Sequence, residues 1–206
     1  MGGRTAGRAL EPDVAELVSL SAAIAAADSG AVEAQAERAL AAGAPPDAVY
    51  ETILQSYLFV GFPRAIEAFF AARGPLGRAG FAARGPSDPG PAASRRDGEA
   101  LCRRVYGRNY EKLIATMRHL SPDLGDWMIL EGYGKTLSRR GLDATTREYA
   151  VLAILTVTRM WRQLLSHAIG AVNVGGTRDG VREAIARSEP YAGPDATREA
   201  LRVAGL

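Results

Sequence analysis

Apolar residues recur along the chain at helical spacing in two blocks, one before residue 72 and one after residue 98. No stretch sustains period-two alternation of β-branched residues, so the pattern predicts an all-α protein. Each block reads as a helix, a break, a second helix, a Gly stop and a third helix. Asp13 with Glu16, and Thr145 with Glu148, have the spacing of capping boxes that open the first helix of each block. Gly43 and Gly175 suit the left-handed position after a helix end, and Asp47 and Asp179 fall where the next helix starts. A further helical stretch spans Glu99 to Arg118, and Ser121-Pro122-Asp123 restarts a helix towards Leu137.

The two blocks repeat. A gapless shift of 132 positions places Glu16 on Glu148, Leu20 on Leu152, Ala36 on Ala168, Ala39 on Ala171 and Gly43 on Gly175. It continues through Asp47 on Asp179, Val49 on Val181, Glu51 on Glu183 and Ile53 on Ile185. Helix-forming and helix-ending residues match generically. A match running through the Gly stop into Asp-x-Val-x-Glu-x-Ile favours duplication over two unrelated Ala-rich helices. Ala39, Leu40 and Ala171 put small residues on a packing face. The predicted organisation is a first, degenerate unit at 10–72, a Gly/Pro/Arg-rich and flexible linker at 73–98, and a second unit with extra N-terminal helices at 99–206. The prolines in Arg84-Gly85-Pro86-Ser87-Asp88-Pro89-Gly90-Pro91 stop helices.

Composition narrows the function. The 206 residues are 47% apolar and 23% charged, ordinary values for a globular protein large enough to bury a core. The 25 basic residues against 23 acidic ones make no basic face by count, so nucleic acid is not an expected partner. Every apolar run is interrupted by charge, which argues against a membrane span, and the N-terminus lacks an apolar signal core. A cytoplasmic location is expected. The single cysteine, Cys102, cannot form an intrachain disulfide or a CxxC motif.

Reactive side chains are few. His167 lies eight residues before Gly175, on the helix of small residues, and an imidazole there can serve as a general acid or base. A histidine hydrogen-bonded in a helix interface fits the same pattern. Glu148 can face it only if the chain turns between them, because on one unbroken helix the two would sit about 100° apart. The β-branched Thr156-Val157-Thr158 marks the place for that turn. Arg139, Arg147 and Arg162, with Arg159, supply guanidinium groups that suit an anionic substrate, or a solvated face laced with salt bridges. Arg103 and Arg104 follow Cys102 and can lower a thiol pKa, but no histidine is near in sequence, so a structural cysteine is expected. His119 suits a helix C-terminus. No spacing of histidines and carboxylates makes a metal site, and no cofactor is expected.

Leu142-Asp143-Ala144-Thr145-Thr146-Arg147-Glu148-Tyr149-Ala150-Val151-Leu152-Ala153, followed by Ser166-His167-Ala168-Ile169-Gly170-Ala171-Val172-Asn173-Val174-Gly175, resembles the carboxymuconolactone decarboxylase and alkylhydroperoxidase D family. The preceding Gly134 to Asp143 is similar to the lead-in of the decarboxylase branch. The resemblance implies two tandem helical units of the alkylhydroperoxidase D type and a homo-oligomer, a trimer or a hexamer-like ring in single-unit members. The peroxidase branch uses a Cys-x-x-Cys pair. Those two positions hold Met160 and Gln163 here, and Asp28 and Ala31 in the first copy, where Gln35 replaces the histidine. A dithiol cannot reduce peroxide without thiols, so that chemistry is not expected. A residual peroxidase acting through Cys102 between subunits ranks last.

The decarboxylase branch needs no cysteine. The resemblance then implies a lyase that removes carbon dioxide from a small carboxylated lactone, with His167 as proton donor and Glu148 tuning it. Arg139, Arg147 and Arg162, with Gln163, would hold the substrate. The alternative is a non-catalytic helical oligomer that binds a small anionic or aromatic ligand, or a partner protein.

Overall fold

The structure, a computed structural model, describes residues 10–82 and 89–206. Every element among them is helical. The first copy comprises α1 (Pro12–Ala26), α2 (Ser29–Ala41) and α3 (Pro46–Arg78). Then come α4 (Pro91–Tyr106), a 3-10 turn (Gly107–Asn109), α5 (Tyr110–Leu120), α6 (Pro122–Trp127) and a π-helix (Met128–Leu137). The second copy comprises α7 (Ala144–Val157), α8 (Trp161–Asn173), α9 (Arg178–Ala186), α10 (Glu189–Ala192) and α11 (Pro194–Val203).

The shift of 132 found in the sequence also relates the helices. It carries the start of α1 onto α7, both ends of α2 onto those of α8, and the start of α3 onto α9. Backbone geometry repeats with it. Ala27 and Arg159 close the first helix of each copy at φ 60° and 58°, and Gly43 and Gly175 close the second at φ 99° and 111°. The correspondence extends past Ile53. Gly61 (φ 80°, ψ 167°) kinks α3 where Gly193 (φ 81°, ψ 160°) separates α10 from α11. The single long helix of the first copy is thus the equivalent of three short ones in the second.

Two expectations are corrected. The helix caps are Glu11 and Asp143 rather than Asp13 and Thr145. Asp143 accepts the Thr146 N–H at 3.0 Å, while Glu11 makes no side-chain cap and α1 opens with Pro12. Asp143 wins because its extended backbone lets the carboxylate reach the unpaired N–H of the third helical residue. Thr145 instead donates its hydroxyl to the Val174 carbonyl at 3.1 Å, tying the start of α7 to the end of α8. The 73–98 stretch is helical at both ends, because α3 runs to Arg78 and α4 begins at Pro91. A proline at the first helical position loses no hydrogen bond, so Pro91 starts a helix instead of stopping one. Residues 83–88, which include most of the Gly/Pro run, lie outside the described residues.

α1 and α7 pack against each other at the centre. Val18 and Ala22 of α1 share one cluster with Val151, Leu152 and Leu155 of α7, and with Leu164, Ala168 and Ala171 of α8. α1, α2 and α3 build a second cluster around Leu20, Ile24 and Ile53. α4 and the π-helix build a third around Leu101, Cys102 and Tyr133, against the side of α8. Ala39 and Ala171 are fully buried. No helix among the described residues is long and apolar enough to cross a membrane.

Candidate functional site

α7 ends at Val157, and Arg159 in the left-handed region turns the chain back so that α8 packs on α7. The turn falls at the β-branched run. It brings Glu148, in the second turn of α7, against His167 in the middle of α8. His167 Nδ1 and Glu148 Oε2 lie 2.7 Å apart, and the residues are 6% and 3% exposed. With an ionised carboxylate, Nδ1 carries the proton and donates it, leaving the lone pair on Nε2. Nε2 has no hydrogen-bond partner among the described residues.

The surroundings are specific. Gly170, three residues after His167, presents bare backbone to the carboxylate. A Cβ there would lie 3.0 Å from Glu148 Oε2 and 2.7 Å from Val105 Cγ1. The Phe59 ring of α3 meets the imidazole edge-on, with centroids 5.7 Å apart. Cys102 and Tyr106 of α4 and Tyr133 of the π-helix lie within the field of Glu148. Burial, aided by that carboxylate, pushes the Cys102 thiol up to about 12. Burial also raises the Tyr106 hydroxyl to about 12 and Tyr133 well above the ordinary tyrosine value. All three therefore stay protonated and neutral near neutral pH. Arg103 pulls the thiol downwards but is outweighed, since its guanidinium turns outward onto Glu111 (2.7 Å) and the Tyr110 ring.

The arginines divide. Arg147 adjoins Glu148 in sequence but points about 100° away around α7. It is 2% exposed and donates to Glu51 Oε2 (2.8 Å), Gln55 Oε1 (3.0 Å) and the carbonyls of Arg139 (3.1 Å) and Leu142 (3.2 Å). Burial lowers its pKa, with Glu51 acting in the opposite direction. Arg139 donates to the other Glu51 oxygen at 2.7 Å. The structure thus gathers Arg139 and Arg147 on Glu51 and not on His167. Arg162 and Gln163 are exposed on the first turn of α8, Gln163 one turn before His167 on the same face. Arg159 and His119 are exposed. No group of three or more His, Cys, Asp or Glu suited to a metal ion occurs among the described residues.

Glu51, Gln55 and Phe59 form one stripe of α3 at i, i+4 and i+8, and sequence reasoning assigned none of them to the site. The signal was present. Extended past Ile53, the shift places Gln55 on Arg187 and Phe59 on Tyr191. Arg187 donates to Glu16 (3.1 Å) and Tyr191 hydrogen-bonds Gln35 (3.1 Å), the first-copy equivalents of Glu148 and His167. Each Glu-bearing pair is therefore covered by the third-helix region of the other copy. Gln55 is fully buried, and with Oε1 held by Arg147 its Nε2 has no hydrogen-bond partner.

Two tandem helical units, with an intact Glu–His pair in one and a Glu–Gln pair in the other, define the class. The profile of the carboxymuconolactone decarboxylase family matches residues 1–74 and 122–205, and the chain belongs to that family as a tandem member. A search of curated proteins finds no match.

Proposed function

We propose that the second-copy site is catalytic and removes carbon dioxide from a small carboxylated lactone. The observation that carries this reading is the buried 2.7 Å Glu148–His167 pair with Nε2 left unpaired. In such a reaction the bond to the departing carboxylate breaks, and its electron pair passes into the adjoining unsaturated lactone. A proton that His167 has first taken from solvent at Nε2 then completes the carbon centre and gives the enol-lactone, returning the imidazole to its neutral form. Glu148 stabilises the imidazolium that precedes proton delivery. The neutral Cys102, Tyr106 and Tyr133 add no competing charge. Arg162 and Gln163, at the exposed start of α8, receive a second carboxylate of the substrate, the one that stays on the product. The reading includes self-association, because Leu165, Ile169 and Val172 leave an apolar stripe exposed on α8.

The test is release of carbon dioxide from a panel of carboxylated lactones by the wild type, His167→Ala and Glu148→Gln, with the fold monitored by circular dichroism. Turnover is expected in the wild type only. Full activity in folded His167→Ala would overturn the reading.

A further inference from the structure

A cleft of about 900 Å³ opens on the far side of Glu51, between α3 on one wall and the π-helix with residues 138–141 on the other. His167, Glu148 and Gln55 do not line it. We propose that it is a second binding site, and that its ligand is a planar aromatic carboxylate of one or two rings.

The α3 wall is aromatic. Tyr50 stacks on Phe81, with centroids 5.1 Å apart at 25°, and touches Phe69 at 5.2 Å. Further along, Tyr57 meets Phe62 at 5.0 Å, and Phe62 remains 67% exposed. Such ring faces hold another planar ring by offset stacking and by burial of its apolar area.

The opposite wall supplies positive charge. Glu51 stands between the guanidinium groups of Arg139 and Arg147. Arg139 engages Glu51 through Nε, and its terminal Nη atoms have no hydrogen-bond partner among the described residues. That end of the guanidinium is the fork that grips a carboxylate with two parallel bonds. Arg140 beside it is exposed and makes no ion pair among the described residues. Of the other charged groups on the cleft, Glu131 is matched by Lys135 at 3.1 Å and Asp97 by Arg96 at 2.9 Å. Asp47 is also partnered and lies on the helical turn before Glu51. The free end of the Arg139 guanidinium and the exposed Arg140 thus stand together at one end of an aromatic wall. The cleft has the size of a small-molecule site.

Isothermal titration calorimetry with naphthoate, on the full chain, tests the assignment, with naphthalene methanol as the uncharged control. Naphthoate is expected to bind the wild type and His167→Ala alike. It should bind Arg140→Glu at least about tenfold more weakly, and the alcohol should bind the wild type more weakly by a similar factor. Arg140 is exposed, so Arg140→Glu folds, which circular dichroism checks. Three results would overturn the proposal: no binding to the wild type, equal affinity for Arg140→Glu, or equal affinity for the alcohol. Binding lost in His167→Ala and retained in Arg140→Glu would also overturn it, and would move the acid to the Glu148–His167 site. Carbon dioxide release is read independently, so either site can fail alone.

Discussion

Gln35 stands to Glu16 as His167 stands to Glu148. With its amide turned to satisfy both ends, Gln35 donates to Glu16 Oε2 at 3.0 Å and accepts from Arg38 at 3.2 Å and the Tyr191 hydroxyl at 3.1 Å. His167 Nδ1 is hydrogen-bonded with Glu148 Oε2 at 2.7 Å, and the ring packs against Phe59, the equivalent of Tyr191. The two copies share one scaffold for a buried side-chain donor over a carboxylate. They differ in whether that donor can also release a proton.

His167→Gln converts the second site into a copy of the first. The hydrogen bond to Glu148 is kept and the acid–base group is removed. The variant should melt within about 3 °C of the wild type, the shift expected for roughly 1 kcal/mol in a chain of this length. Carbon dioxide release should fall by about a hundredfold or more. A folded variant with wild-type turnover would assign the chemistry to another group.

Arg147→Met removes one of the two guanidinium groups that neutralise Glu51, a carboxylate only 4% exposed. It also strips Gln55 Oε1 of its donor. The expected loss is about 3 kcal/mol, at the lower end for breaking a buried pair because Arg139 remains. Adding Glu51→Gln to Arg147→Met should recover part of that loss. Urea unfolding of the two single variants and the double variant measures the coupling, and strict additivity would contradict it.

Cys102 should resist thiol reagents in the folded protein at about pH 8, since the group is fully buried and held protonated. Its value rises from an ordinary 9.0 to about 12 on folding, and Tyr106 rises from 10.0 to about 12. The folded chain thus keeps protons that the unfolded chain releases. The stability from these groups is complete below pH 9 and declines as pH rises towards 12. Melting temperatures across this range should fall, and less steeply in Cys102→Ala. Rapid labelling of the native thiol by a disulfide reagent would contradict the burial of the thiol.

The parts of the fold legible in the sequence were those set by local rules. Helix ends at Gly43 and Gly175, and the turn at Thr156 to Thr158, follow from residues within one turn of the event. Glu148 and His167 were legible as a pair because the predicted turn is the only way to join them. The fate of Arg147 was not. Neighbours on a helix point in different directions, and the choice between facing α8 and facing α3 depends on how α3 crosses from the other copy. The caps misled for a simpler reason. Asp143 and Thr145 both have the right chemistry, and two residues of backbone decide between them. In the 73–98 stretch, composition marked prolines as breakers, whereas the position of Pro91 at a helix start makes it compatible with α4.

The crossing of α3 over the second-copy site changes what degeneracy means for this chain. The first copy has no histidine of its own, yet it contributes Phe59 against the imidazole. Deleting that copy would unroof its sibling. The Glu–His pair of one copy thus depends on a residue about a hundred positions upstream in the other. The first copy acts as a fixed partner of the second, held permanently in cis.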